Sequence, residues 1–121
     1  MELKKGMYVR INNDIRKICI GIGKIKQINQ DTIYVEMNIE LPISFGKNEI
    51  SKSSPNIIDL IEVGDYVNGN PVCLIKEDEH NRKWIYTDSN YKCGYLEEDI
   101  ETILTHEQFK KMMYKIGDID E

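Results

Sequence analysis

An imperfect internal repeat is the feature of this 121-residue chain that most constrains its fold. Residues 3–12 align with residues 61–70, since both segments have an apolar residue, a glycine three positions later, a Tyr-Val pair and a turn-forming Asn. Two further matches follow in the same order: Ile33-Tyr34-Val35 with Ile85-Tyr86-Thr87, and Asn48-Glu49-Ile50 with Glu98-Asp99-Ile100. Ordered self-similarity of this kind predicts two copies of one small unit, at residues 1–60 and 61–121.

The alternation of residues within each copy is typical of β-strands. Met7, Val9 and Ile11 alternate with Tyr8 and Arg10, and Val72 and Leu74 alternate with Cys73 and Ile75 in the second copy. The alternation breaks at Gly23-Lys24, which predicts a bulge in the second strand. The chain contains no alanine, the best helix former, so its composition also favours strands.

Helix signals are confined to the end of each copy. Ser54-Pro55 predicts a short helical turn near residues 55–61, and Thr105-His106-Glu107-Gln108 is a capping box. The capping box predicts a C-terminal helix over about residues 105–116, in which four apolar residues share one face: Phe109, Met112, Met113 and Ile116.

These elements predict a mainly β fold made of two tandem SH3-like small barrel units with a short C-terminal helix. Gly6 to Ile11, followed by Gly21-Ile22-Gly23-Lys24 and a further strand, also resembles the KOW type of this barrel. That resemblance covers about a quarter of the chain.

The charge of the chain is distributed unevenly along its length. The formal net charge is −5, which argues against general binding to a nucleic-acid backbone. Residues 1–52 hold nine Lys and Arg against six Asp and Glu, whereas residues 53–121 hold seven against fifteen. This asymmetry allows a head-to-tail homo-oligomer, or an acidic face that meets a basic partner.

The cysteines and the N-terminus indicate a cytoplasmic protein. Three cysteines without a paired spacing are not a disulfide framework, and Cys73 stands in an apolar run and is expected to be buried. The N-terminus has no apolar core of the signal-peptide type, and no segment reaches membrane-spanning length, so no membrane association is expected.

No pattern of residues indicates catalysis. His80 and His106 lie far apart in the sequence and have no cysteine spacing beside them that would support a metal site. Cys93 has no neighbouring histidine to activate it, and Gly21-Ile22-Gly23 lacks the spacing of a phosphate-binding loop. We therefore expect no enzyme activity, no catalytic residue, no cofactor and no metal.

Binding surfaces have more support. Trp84 lies between Arg82-Lys83 and Tyr86, with Tyr91 close by, and aromatic residues interleaved with cations can stack a base and hold a phosphate. The other interpretation is that Trp84 belongs to a core. Further candidates are a basic patch (Arg10, Arg16, Lys17, Lys24 and Lys26) and an acidic, partner-facing stripe that includes Glu97 and Glu98.

Residues 6–10, 55–69 and 103–109 also resemble small proteins encoded by phages and prophages of Clostridium-type bacteria. The resemblance implies a phage accessory gene, a context in which small inhibitors of host defence are common. The leading hypothesis is therefore a non-enzymatic protein that binds a host protein in the host cytoplasm and inhibits a defence system, in an anti-CRISPR-like or similar manner. The alternatives are sequestration of a nucleotide or signalling small molecule, and a KOW-like nucleic-acid-binding module.

Overall fold

The computed structural model describes residues 2–12, 20–37, 41–88 and 94–112. The described part contains nine strands and one helix: β1 (Tyr8–Ile11), β2 (Gly21–Asn29), β3 (Thr32–Glu36), β4 (Ile43–Gly46), β5 (Lys52–Ser54), β6 (Tyr66–Val67), β7 (Asn70–Glu77), β8 (Lys83–Thr87), β9 (Ile103–Leu104) and α1 (His106–Met112). Three short 3-10 turns complete it, at Lys47–Glu49, Ile57–Leu60 and Glu97–Asp99.

The strands form two antiparallel sheets. The first sheet has the order β4-β3-β2-β1-β5, and the second has the order β8-β7-β6-β9. The prediction of a mainly β fold with a short helix is confirmed, and within the described residues neither sheet closes into a barrel.

Each sheet has its own apolar cluster. Alternate residues of β1 and β3 point inward in the first sheet, and seven buried residues form its cluster: Met7, Val9, Ile11, Ile25, Ile33, Val35 and Phe45. Five buried residues form the cluster of the second: Ile58, Ile61, Val67, Val72 and Ile85. Two separate clusters fit the two-copy pattern of the sequence, in which apolar positions recur in the same order.

Both sheets begin with the same turn. Gly6 and Gly64 have positive φ angles of 94° and 103°, in the region that favours glycine. The residue after each glycine donates its N–H to the carbonyl three positions earlier, at 3.1 Å in both copies. Each glycine also donates to the second strand of its sheet, to the Ile25 carbonyl at 2.9 Å and to the Val72 carbonyl at 3.0 Å.

Both sheets also have a bulge at the matching place. The register shifts between Ile25 and Gln27 in the pairing of β2 with β3, and between Val72 and Leu74 in the pairing of β7 with β8. The first bulge therefore lies two residues beyond the predicted Gly23-Lys24 break.

The bulge in β7 corrects two sequence expectations. Cys73 is exposed rather than buried, and Leu74 is 38% exposed although the alternation with Val72 predicts an inward side chain. An extra residue in one strand changes which side chains face the core beyond it, so the alternation read from the sequence fails at this point.

The predicted helix caps are confirmed in part. The Gln108 N–H donates to Thr105 Oγ1 at 3.1 Å, and the Thr105 N–H donates to Gln108 Oε1 at 2.8 Å, which is the reciprocal capping box. The helical turn near residues 55–61 is the 3-10 turn at Ile57–Leu60, which begins two residues after Pro55. In the part of the chain that the structure describes, no helix combines the length and apolarity needed to cross a membrane.

Candidate functional site

A buried arginine joins the two halves of the chain. Arg10 extends from β1, and its side chain is fully buried. Its Nη1 donates to the Leu60 carbonyl at 2.7 Å and to Asp65 Oδ2 at 2.6 Å. Its Nη2 donates to Asp65 Oδ1 and to Glu107 Oε1, both at 2.8 Å, and its Nε donates to Asn12 Oδ1 at 3.0 Å. All five guanidinium N–H groups therefore have an acceptor, as a buried arginine requires.

Asp65, in the second half, is the buried carboxylate that pairs with Arg10. Its carboxylate also accepts the backbone N–H of Glu62 at 2.7 Å and that of His106 at 2.9 Å. Burial alone would raise the pKa of Asp65, but the hydrogen bonds from Arg10 and the two backbone groups outweigh it and lower the pKa below its ordinary value. Burial alone would likewise lower the pKa of Arg10, yet Asp65 and Glu107 raise it, so both groups are charged at neutral pH.

The rim of this network is open to solvent. His106 Nε2 lies 3.2 Å from Glu62 Oε1 and 3.1 Å from Glu107 Oε2. Lys52 Nζ lies 3.0 Å from Glu62 Oε2. The Glu62, His106 and Glu107 side chains are between 21% and 35% exposed. We call these three residues the rim triad.

A second feature is a groove of about 290 Å³ lined by residues 56–59 and by residues of the second half, which we call the acidic groove. Two ion pairs lie at it: Lys83 with Asp59 at 3.1 Å, and Arg82 with Asp78 at 3.0 Å. Because its two cations are thus neutralised, the remaining charge of the groove is that of its other carboxylates. The lining residues are Asn56, Ile58, Asp59, Glu77, Asn81, Arg82, Lys83, Leu96, Glu97 and Glu98.

The local structure explains the position of the two predicted acidic residues. Glu97 and Glu98 begin the 3-10 turn at Glu97–Asp99, which the Leu96 N–H stabilises by donating to Asp99 Oδ2 at 3.1 Å. Glu97 is held toward the groove, where its Oε2 lies 3.5 Å from the Ile58 backbone N–H. Glu98 is exposed. Neither Glu77 nor Glu98 forms an ion pair with another described residue.

Trp84 lies beside the groove and outside the apolar cluster of the second sheet. It is half-buried, its Nε1 donates to Asp78 Oδ2 at 3.0 Å, and the Arg82 guanidinium lies 5.8 Å from its ring centre. The hydrogen bond from Trp84, together with those from the backbone N–H groups of Arg82 and His80, lowers the pKa of Asp78 below its ordinary value. A Cβ on Gly94 would lie 3.3 Å from the Trp84 ring, so backbone packs against this indole.

The basic candidates of the first half are not brought together as one patch. Arg10 is buried and is therefore not part of an exposed basic surface. Lys24 and Lys26 are exposed on β2, where Lys24 Nζ lies 5.8 Å from the Tyr8 ring centre and Lys26 Nζ lies 3.5 Å from Glu36 Oε1. Three other candidates lie outside the described residues: Arg16, Lys17 and Tyr91.

Sequence analysis missed Asp65 and the rim triad. A signal for Asp65 was present in the repeat, because Asp65 occupies the position that the apolar Met7 occupies in the first copy. A charged residue at a repeat position that is apolar in the other copy is a candidate for a buried ion pair.

Comparison of the chain with protein-family models, with curated proteins and with solved structures finds no match. The resemblances to phage proteins and to KOW barrels therefore stay predictions, and the function is argued from the geometry alone.

Proposed function

We propose that the protein is a non-enzymatic phage accessory protein that inhibits a host defence protein by binding it through the acidic groove. The observation that carries the proposal is the set of carboxylates in a concave site, since Glu77, Glu97 and Glu98 line it while its cations are already paired. A volume of about 290 Å³ suits one or two lysine or arginine side chains of a partner. Charge-assisted hydrogen bonds from such side chains to carboxylates are among the stronger polar contacts.

The charge of the C-terminal part of the chain supports the same proposal. Residues 53–121 hold fifteen acidic side chains against seven basic ones. A field of one sign steers a basic partner to the groove and speeds association more than it strengthens the final complex. The partner surface is therefore one that carries positive charge, as the nucleic-acid-binding face of a defence protein does.

We also propose that each half is an open SH3-like unit. For the first half, the sheet order β4-β3-β2-β1-β5 supports this assignment. So does the 3-10 turn at Lys47–Glu49, which lies between β4 and β5 in the chain. In the second half Tyr95 bridges to Ile85 where β4 would pair, and the 3-10 turn at Glu97–Asp99 again precedes the closing strand β9. Nuclear Overhauser contacts that link Tyr95 to Ile85 in solution test this assignment, and their absence contradicts it.

The binding proposal is tested by affinity capture from a host lysate with matched charge variants. The tagged full chain is compared with Glu77→Lys/Glu98→Lys, and the control is Asp31→Lys/Glu36→Lys, which makes the same charge change on exposed residues of the first half. We expect the wild type and the control to retain one stoichiometric basic host protein that the groove variant loses. Retention by the groove variant would contradict the proposed site.

Inhibition is tested separately by phage plating. Expression of the wild type in a host that carries the captured defence protein should restore plaque formation, whereas the Glu77→Lys/Glu98→Lys variant should not. Equal plating with both proteins, at equal expression, would show that the groove does not act in inhibition.

A second candidate function is the binding of a small anion such as a nucleotide or signalling molecule. It is favoured by a cavity of about 480 Å³ in the first half, whose lining includes Lys47, Glu2 and three apolar residues: Leu3, Ile28 and Ile50. Lys52 also lines it but is paired with Glu62, so Lys47 is the cation that would meet an anion. This location differs from Trp84, the ligand site predicted from the sequence. Native mass spectrometry tests both: a retained mass lost in Lys47→Glu supports the cavity, and one lost in a folded Trp84→Ala variant supports the indole.

A further inference from the structure

We propose that the rim triad of Glu62, His106 and Glu107 binds a divalent transition-metal ion, for which Zn²⁺ is the best fit. This site is separate from the acidic groove and does not depend on the proposed function. Imidazole nitrogen and carboxylate oxygen are both donors that bind zinc in proteins, and open zinc sites use three protein ligands with a further position left for water.

The distances between the donor atoms fit one ion. His106 Nε2 lies 3.2 Å from Glu62 Oε1 and 3.1 Å from Glu107 Oε2, and all three donor atoms lie within 4.8 Å of one another. Bonds of about 2.0–2.2 Å to a tetrahedral ion place its ligand atoms a little over 3 Å apart. A neutral imidazole has a single proton to share between two carboxylates, whereas a metal ion contacts all three groups at once.

Neighbouring cations orient both carboxylates for this role. Lys52 holds Glu62 Oε2 at 3.0 Å, which leaves Glu62 Oε1 toward His106. Arg10 holds Glu107 Oε1 at 2.8 Å, which leaves Glu107 Oε2 toward the same imidazole. Fixing one oxygen of a ligating carboxylate so that the other faces the ion is the usual task of groups around a metal site.

The charge and exposure of the cluster also favour a cation. Two positive side chains, Arg10 and Lys52, face three carboxylates, those of Glu62, Asp65 and Glu107, so one negative charge is uncompensated when His106 is neutral. The rim triad is partly exposed, which leaves room for water as a further ligand. Because Arg10 also lies 3.5 Å from Glu62 Oε1, it competes for that oxygen, and we expect weaker binding than in a structural zinc site.

Isothermal titration of the full-length, reduced protein with zinc alone tests this site. We expect one zinc ion per chain, with an affinity that falls about tenfold or more in His106→Ala and in Glu107→Gln. The matched control is His80→Ala, since His80 is the other histidine of the chain and its Nε2 lies 4.0 Å from the carboxylate of Glu79. The control should bind zinc as the wild type does.

Glu107→Gln keeps the size of the side chain, so it remains informative if His106→Ala fails to fold. Cobalt in place of zinc identifies the donors, because thiolate ligands give a strong charge-transfer absorption that nitrogen and oxygen ligands do not. The proposal predicts visible cobalt absorption without the thiolate signal. Absence of zinc binding, unchanged binding in both triad variants, or a thiolate spectrum would each overturn it.

Discussion

The first and second sheets begin with the same glycine turn, but different kinds of residue occupy two matching positions in them. The residue after the turn glycine is Met7 in the first sheet, where it belongs to the apolar cluster, and Asp65 in the second, where it is buried as a carboxylate. Three positions beyond stand Arg10 and Asn68, respectively. These two of the differing positions supply the ion pair between the halves, Arg10 from the first copy and Asp65 from the second.

The side chains at these positions are directed to different parts of the molecule. Asn68 stays within its own half, where its Oδ1 accepts the backbone N–H groups of Glu101 at 2.7 Å and Thr102 at 3.1 Å. Arg10 reaches out of its own half to Asp65 and Glu107, and it also donates to the Leu60 carbonyl at the end of the first half. The comparison teaches that a change at two positions of a repeat can replace contacts within each copy by a contact between the copies. A buried ion pair of this kind specifies an arrangement more than it stabilises one.

The largest expected effect is that of Asp65→Met, which gives the second sheet the residue of the first. The change removes the carboxylate that takes two of the five Arg10 hydrogen bonds and leaves a buried guanidinium incompletely paired. We expect a loss of about 3–5 kcal/mol in the free energy of unfolding, measured by urea denaturation. Glu36→Met, at an exposed carboxylate, is the control and should change stability by less than about 0.5 kcal/mol. A similar small loss for Asp65→Met would show that the ion pair does not hold the halves together.

The next effect compares the two apolar clusters. Ile33 and Ile85 occupy matching strand positions and are both fully buried, so Ile33→Ala and Ile85→Ala should each cost about 2–5 kcal/mol. If the Arg10 network couples the halves, each substitution shifts one common unfolding transition. Calorimetry checks this, and two separate transitions in either variant would show that the halves unfold independently.

Acid should weaken the contact between the halves by a smaller amount, because a protonated Asp65 keeps part of its hydrogen bonding. The pKa of Asp65 is lower in the folded protein than the value of about 4 expected when it is unfolded. Its charge therefore stabilises the fold above that value, and this contribution is lost as the pH falls through the lowered folded pKa. Denaturation midpoints below pH 5 should fall more steeply for the wild type than for Asp65→Asn. If the midpoints of both proteins fell equally with pH, the Asp65 charge would not contribute to stability.

The smallest effect tests the shared turn. Gly6→Ala and Gly64→Ala place a side chain at a positive φ, with no atom within 4 Å of the new Cβ at Gly6 and none closer than 3.9 Å at Gly64. The backbone conformation is then the main cost, and we expect about 1–3 kcal/mol from each substitution. Costs that agree within about 0.5 kcal/mol support equivalent turns. If only one of the two substitutions left stability unchanged, the two turns would not be equivalent.

The repeat made much of the fold predictable. Gly6 and Gly64, the matched strand segments and the Thr105–Gln108 cap all follow from local patterns of turn and strand residues. The side-chain directions beyond the bulge in β7 did not follow, because a register shift depends on the partner strand rather than on the sequence of the strand itself.

The candidate sites were predictable to a lesser degree. Glu97 and Glu98 were chosen as an acidic stripe and Arg82 as a cation beside Trp84, and the structure brings all three to one groove. Arg10 was taken as a surface cation, since nothing local distinguishes a lysine-rich face from an arginine whose partner is 55 positions away. The rim triad joins residues 62, 106 and 107, a contact that no spacing in the sequence indicates.

A double-mutant cycle between Arg10 and Asp65 tests most directly whether this pair joins the two halves. Arg10→Asn gives the first sheet the residue of the second, and Asp65→Met does the reverse. The free energies of unfolding of the wild type, the two single variants and the double variant yield the coupling between the positions. The account predicts a coupling of about 2–3 kcal/mol. The double variant should therefore lose that much less free energy of unfolding than the two single losses added together. Additivity within about 0.5 kcal/mol would contradict it.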